Sequence, residues 1–331
     1  MRALVISNMR ADPSHPERGS FVRDQVDALR AIEGVEVELF EFPPGARALA
    51  EAALHAPRRR GEAGRGNRAP RYDVVHAHFG LTGWPALAVP ARVHALTLHG
   101  TDVVHSRTRI ATLAVLPLMQ LVAGVSCSLA EQLPRWARRR AQVLPCGVDV
   151  ARFRPIPREI ARAELGLDHD RPYVLFAADP ARPEKRFDRA RELCEPLGVQ
   201  LLTLGGVAPA RVPLWINAAN AVVVPSEREG FGLSVLEALA CEVPVLATPV
   251  GIHPQALQPV PGSLCAPFEL ERWRTALQVH LRAGADGAEQ AADPPEGPEQ
   301  HAARASAERF SAPRMGRRVA DAWRAALRRA G

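Results

Sequence analysis

The stretch Ser226-Glu-Arg-Glu-Gly-Phe-Gly-Leu-Ser-Val-Leu-Glu-Ala-Leu-Ala240 sets two carboxylates, Glu229 and Glu237, on either side of a glycine-bearing turn. It follows a β-branched apolar run, residues 221–224, and Pro225, so it reads as strand, loop and helix. Gly230 and Gly232 permit close backbone approach to a ligand. The N–H groups of Gly232, Leu233 and Ser234 would then point beyond a helix N-terminus, where a phosphate is favourable. Carboxylates accept hydrogen bonds from sugar hydroxyls, so Glu229 could hold a hexose and Glu237 a ribose on either side of a diphosphate. A competing reading stands beside this one. Ser234-Val-Leu-Glu237 also spells a capping box, in which Glu237 reaches back to its own helix end and binds nothing.

A second candidate comes from composition. Lys185 is the only lysine among 42 lysine and arginine side chains. A chain so biased toward arginine keeps a lysine where a compact ammonium with freely rotating donors is needed, or retains it by chance on the surface. It lies in Asp179-Pro-Ala-Arg-Pro-Glu-Lys185, which follows a strand expected over residues 173–178.

These residues need elements to hold them, and 331 residues suffice for two domains with cores. A hydrophobic share of 47% and a charged share of 24% argue against disorder for most of the chain. Residues 2–7 read as a first strand with no cleavable signal, and the apolar region 110–125, broken by Pro117 and Gln120, is too short for the roughly 20 residues of a membrane span. A soluble, cytoplasmic protein is expected. Five unpaired-looking cysteines without a CxxC motif fit a reducing compartment and no zinc ribbon. The net charge of +6 suits an anionic small substrate or membrane surface; no nucleic-acid motif accompanies it.

Taken in order, strands at 2–7, 35–42, 73–78 and 93–99 alternate with helices at 21–32, 46–55 and 81–89. A helix from 110 toward 123, a strand at 125–127 and a helix at 129–139 follow, and residues 148–157 read as a linker. The second half repeats the plan, with strands at 173–178, 200–204, 221–224 and 243–248. Such alternation implies parallel sheets covered on both faces. Domains of 1–150 and 158–312 are expected, with the basic amphipathic helix of 313–331 packing back on the first. The arginine-rich loop 57–71 is a solvated loop or a contact for anionic headgroups, and 284–300 reads as mobile.

Several patterns are decoys. Asp168-His-Asp170 precedes a strand and reads as an exposed turn, not a metal site. His76 and His78 share a strand face without a third metal ligand at credible spacing. Neither a G-x-S-x-G elbow nor a dinucleotide fingerprint follows the first strand. What remains are strand-end loops: Gly19, His99-Gly-Thr-Asp102, Arg182 to Lys185, and Glu229 to Glu237. Ligands of open α/β sheets bind at such ends. A lysine and a helix N-terminus there would stabilise a departing diphosphate without a metal.

The spacing Glu229-x7-Glu237, with Gly19-Ser-Phe-Val-Arg, Asp73-Val-Val-His-Ala-His, Leu98-His-Gly-Thr-Asp-Val, Pro145-Cys-Gly-Val-Asp, Pro183-Glu-Lys and Glu242-Val-Pro-Val-Leu-Ala-Thr-Pro-Val-Gly, resembles the retaining glycosyltransferases of family 4 over nearly the whole length. The look is similar to the cell-envelope polysaccharide branch, such as teichuronic acid glycosyltransferases. The resemblance implies a GT-B fold, two Rossmann-like doubly wound parallel-sheet domains facing across a cleft. It implies transfer from a UDP- or GDP-linked sugar to a sugar, lipid-linked or small-molecule acceptor, with retention and with neither metal nor cofactor.

By that resemblance His99, Lys185 and Glu229 are catalytic: Lys185 meets the diphosphate, Glu229 the transferred sugar, and His99 the sugar near its anomeric carbon. Gly230, Phe231, Gly232, Leu233 and Ser234 complete the donor loop, with Glu237 on the ribose. Gly19 and Asp102 lie on the acceptor side. The chain departs from the family at Ala178-Asp179, where a Gly-Arg pair is usual, so Arg182 becomes the candidate second charge. Glu242 stands for a usual glycine and Cys146 for a usual asparagine. Rival readings are a sugar-nucleotide epimerase or phosphorylase of the same fold, and a non-catalytic binding or scaffold protein.

Overall fold

A computed structural model describes residues 1–55, 72–258, 260–282 and 301–331. The loop 57–71 and the polar stretch 284–300 lie outside the described residues. The chain divides into two compact units, Met1–Gly147 with Ala312–Gly331, and Val148–Ser311.

The first unit is built on a wholly parallel sheet of six strands: β1 (Arg2–Ser7), β2 (Glu36–Glu41), β3 (Tyr72–His78), β4 (Ala91–Leu98), β5 (Leu121–Gly124) and β6 (Ala141–Val143). Their order is β2-β1-β3-β4-β5-β6. Residues 3–7 of β1 are buried on both faces, as a parallel sheet covered by helices requires. One covering layer is the helix Ser20–Arg30 and the last helix, Ala312–Ala330. Val22, Val26 and Leu29 of the former and Val319, Ala320 and Trp323 of the latter join Val5, Val74, Val93 and Ala123 in one core. The terminal helix is therefore part of the first unit, 164 residues of the other unit intervening (148 to 311).

The second unit repeats the design with five parallel strands: β7 (Tyr173–Phe176), β8 (Gln200–Thr203), β9 (Ala221–Val224), β10 (Val245–Ala247) and β11 (Leu264–Cys265), in the order β11-β10-β9-β7-β8. β9 is Ala-Val-Val-Val with every residue buried. Val174, Phe176, Val223 and Leu246 pack against Leu193, Trp273 and Leu277. In each sheet the first strand is flanked on opposite sides by the next two, so chain direction across the sheet reverses between β1 and β3 and between β7 and β9. Loops at the carboxyl ends beside that reversal form the ligand crevice of doubly wound sheets.

Several sequence expectations shift. The helix expected from residue 110 toward 123 is Ser106–Val115, and the strand expected at 125–127 is β5 at Leu121–Gly124. Pro117 sits in the 3₁₀ turn Leu116–Leu118 that ends the helical run, and the short Leu-Val-Ala-Gly segment then pairs with β4. The helix expected at 129–139 is two short helices, Cys127–Glu131 and Arg135–Arg138, divided before Pro134. Asp168 and Asp170 lie in an exposed turn ahead of β7. No helix among the described residues is long and apolar enough to cross a membrane.

Candidate active site

In the second unit, three loops leave the carboxyl ends of β7, β9 and β10. After β7 the chain makes a 3₁₀ turn, Pro183–Lys185, and Arg186 in the left-handed region (φ 58°) starts the helix Phe187–Cys194. Lys185 Nζ donates to both carboxylate oxygens of Glu229, at 2.7 and 2.8 Å, and Ser226 Oγ donates to Glu229 Oε1 at 2.7 Å. The two charged side chains are 11% and 7% exposed, so the pair is shielded from water. Burial pushes the Glu229 carboxyl up; the Lys185 charge, His253 and the hydrogen bonds from Lys185 and Ser226 outweigh it, and the net shift is downward. Glu229 is thus held ionised, and the ammonium retains a third N–H for an anion.

The helix Leu233–Ala240 begins beside this pair. Its N-cap is Gly232 (φ 102°), with no side chain capping the first turn. Ser234 is the second residue of the helix and not its cap, so the capping-box reading of Glu237 falls away. Glu237 lies a turn inside the helix and is half-buried. The Val235 N–H donates to the Gly232 carbonyl at 3.3 Å, and the amides ahead of it, Leu233 and Ser234, lie too early in the helix for intrahelical partners and form a place for negative charge.

His253, which sequence reasoning passed over, closes the floor of this loop. It starts the helix His253–Leu257 after β10 and is fully buried. Its Nδ1 lies 2.8 Å from the Thr248 carbonyl, so that nitrogen carries the proton; Nε2 is buried without a partner among the described residues. A Cβ at Gly232 would collide with His253 Nε2, and one at Gly251 would collide with the Phe231 carbonyl. The Ile252 N–H donates to that carbonyl at 2.7 Å. Phe231 is itself buried, edge-on to Phe310. The glycines flanking these turns were the available signal: two segments that interlock this closely leave no room for side chains.

Arg182 does not join the pair. Its guanidinium donates to Glu184 Oε1 at 2.7 and 3.0 Å, and its side chain is 54% exposed. Arg182, the candidate second charge from sequence, thus pairs with a neighbour two residues along.

In the first unit the loops after β1, β3 and β4 converge on His99. Gly19 (φ 65°) caps the helix Ser20–Arg30, in close contact with the Met9 carbonyl that excludes a Cβ. That turn sets Phe21 against the His99 ring, centroids 5.0 Å apart, and Phe79 packs on it at 4.5 Å. Phe79 adopts φ 73° without being glycine, a strained conformation at the end of β3. Asp102, expected on the acceptor side, has a buried carboxylate that accepts N–H groups from His99 (3.1 Å), Gly100 (2.8 Å) and Gly80 (3.2 Å), which makes it the anchor of the His99 loop. Burial pushes its pKa up, against those amides.

Behind His99 the rings of His78 and His76 stack in sequence, at 5.2 and 4.8 Å. Burial keeps all three neutral at physiological pH; the His78 value is pushed down to about 3. Among the described residues no group of three or more His, Cys, Asp or Glu is placed to hold a metal ion.

Residues 167–279 match the family model for glycosyl transferases group 1. That segment contains Lys185, Glu229, Gly232 and His253. The chain is 31% identical over 271 residues to a D-inositol 3-phosphate glycosyltransferase of Segniliparus rotundus, a match taking in 66% of this chain and 60% of that enzyme. It thus spans less than two thirds of the length of the curated relatives it matches. Among solved structures, sucrose-phosphate synthase of Thermosynechococcus elongatus superposes with a TM-score of 0.71 at 20% identity, covering 98% of both chains. Anabaena HepE in complex with UDP gives 0.65 at 16% identity, covering 97% of this chain and 99% of that one. The fold is that of the GT-B glycosyltransferases: two Rossmann-like domains with parallel sheets.

Proposed function

We propose that this chain transfers a sugar from a nucleotide diphosphate sugar, UDP- or GDP-linked, to an acceptor hydroxyl with retention of anomeric configuration and without a metal. The observation that carries the reading is the buried Lys185–Glu229 pair beside the uncapped helix N-terminus at Gly232. Lys185 and the amides of Gly232, Leu233 and Ser234 take the diphosphate, and the charge that develops on it as it departs is what they stabilise. Glu229, held ionised, orients the sugar hydroxyls, Glu237 takes the ribose, and His99 of the first unit is assigned to the transferred sugar. The bond from C1 to the phosphate oxygen breaks as the acceptor oxygen bonds to C1 from the same face. The acceptor proton passes to the departing phosphate oxygen, so no enzymic nucleophile is required.

Two acceptor classes have support. The sequence resemblance favours a cell-envelope polysaccharide or glycolipid, made on the cytosolic side; the relatives at about 31% identity favour a small phosphorylated polyol, since their names specify inositol 3-phosphate. Incubating a panel of nucleotide sugars with each acceptor class, and with no acceptor, and resolving the products decides the matter. Acceptor-dependent α-product from an α-donor is expected. Epimerised donor without acceptor, or no turnover of any donor by folded protein, overturns the proposal. Cosedimentation with anionic vesicles at low salt tests peripheral membrane contact through residues 58–71 and the basic last helix.

A further inference from the structure

His78 has two ring nitrogens but a single hydrogen-bonding partner. Its Nδ1 lies 3.0 Å from His99 Nε2, while its Nε2 is buried with no partner among the described residues. A neutral imidazole carries one proton, at one nitrogen or the other. Were it at Nε2, a buried N–H would be left without an acceptor, which folded proteins rarely tolerate; a bare lone pair there is the lesser loss. The proton therefore sits on Nδ1 and is donated to His99 Nε2. His99 Nε2 is then an acceptor, and the proton of His99 must be on its Nδ1.

The next ring supports this order. Trp323 Nε1, a donor only, lies 3.0 Å from His76 Nδ1, which forces the His76 proton to Nε2, 2.8 Å from Thr97 Oγ1. His76 is thus satisfied by its own partners and stacks on His78 without competing for its nitrogens. Meanwhile the His99 backbone is pinned by Asp102, and Phe21 and Phe79 pack on the ring. His99 Nδ1 makes no protein hydrogen bond among the described residues, and the residue is half-buried.

We propose that His78 is a positioning residue that locks His99 in the Nδ1–H tautomer, so that His99 offers a hydrogen-bond donor, and not a base, to an oxygen of the transferred sugar. The inference rests on the assignment of His99 to the sugar made above. It gives His99 a role that leaves the acceptor proton to the departing phosphate: an N–H directed at a sugar oxygen orients the ring and removes no proton.

The test is long-range ¹H–¹⁵N correlation NMR on the full chain labelled at histidine nitrogens, with His99 and His78 signals assigned by His99→Asn and His78→Leu. Protonated Nδ1 and bare Nε2 are expected at both residues. In His78→Leu, His99 should move to the Nε2–H form or a mixture, while His76, held by Trp323, keeps its pattern and reports that the unit is folded. His78→Asn, whose amide can donate from near the lost Nδ1, should retain Nδ1–H at His99. Donor kcat/KM should fall about tenfold in His78→Leu, the worth of one hydrogen bond, and recover in His78→Asn. Protonated Nε2 at His99 in the unsubstituted protein, or a His99 tautomer unmoved by His78→Leu, overturns the proposal. If His78→Leu does not fold, the unsubstituted spectrum alone decides. Failure of sugar transfer with the expected tautomer would instead reject the glycosyltransferase reading and leave this one standing.

Discussion

A buried ammonium on a buried carboxylate is a commitment that neither residue can make alone. Removing Lys185 leaves Glu229 charged and shielded, which costs about 3–5 kcal/mol where a buried pair is broken from one side. Lys185→Ala is therefore expected to abolish transfer, weaken nucleotide diphosphate binding and lower the denaturation midpoint. Lys185→Arg should restore stability better than activity, because a planar guanidinium cannot reproduce a pivoting ammonium between Glu229 and a phosphate. Calorimetric titration with the nucleotide diphosphate and urea unfolding separate the two effects; full turnover in either variant would remove Lys185 from the mechanism. The same pair predicts a pH dependence. The Glu229 pKa is lowered in the folded protein, so the unfolded chain binds more protons below the ordinary carboxyl value of 4.5. Stability contributed by Glu229 is complete above that value and is lost as pH falls through the lowered one. Urea unfolding from pH 6 to 3 should show this slope in the unsubstituted protein and a flatter one in Glu229→Gln.

The elements matter through the turns that join them. Gly232 combines a left-handed backbone with a position against His253, so Gly232→Ala faces two separate penalties. The backbone alone costs about 1–2 kcal/mol, and the collision adds to it. His253→Ala in the same chain should relieve the collision but not the backbone strain. A double-mutant cycle by chemical denaturation is expected to return a coupling of about 0.5–3 kcal/mol. Strict additivity would mean that the β9 and β10 loops do not interlock as described. Glu242 illustrates the converse: it adopts a φ of 58° without being glycine, and its side chain reaches His301 at 3.2 Å.

At the scale of the molecule, each unit has its own core, and the first is completed only by the last twenty residues. Trp323 is fully buried and donates to His76, directly behind the His78–His99 stack. Trp323→Phe should lose about 1–3 kcal/mol through the orphaned His76 acceptor, and Trp323→Ala about 3–5 kcal/mol through the cavity. Ending the chain at residue 311 should strip protection from residues 1–147 in hydrogen exchange while strands β7 to β11 keep theirs. Uniform loss across both units would contradict two independent cores.

Much of this was legible before any coordinates. Alternating apolar runs revealed parallel strands because a strand covered on both faces must be apolar throughout, and the solitary lysine and the Glu-x7-Glu spacing marked the two loops that meet in the buried Lys185–Glu229 pair. Local signals failed where the outcome depended on partners distant in sequence. Pro117 and Pro134 broke helices that periodicity alone would have continued, and β5 was displaced because pairing with β4 outweighed local pattern. Sequence named Lys185 and Glu229 without revealing that they bind each other across 44 residues. Nor did it show that Arg182 pairs with a carboxylate two residues along, or that the Asp102 carboxylate is engaged by three loop amides. The residue types determined which chemistry was possible. Only the tertiary structure decided which polar groups remained available for it, because hydrogen bonds inside a fold are exclusive and their partners are chosen in three dimensions.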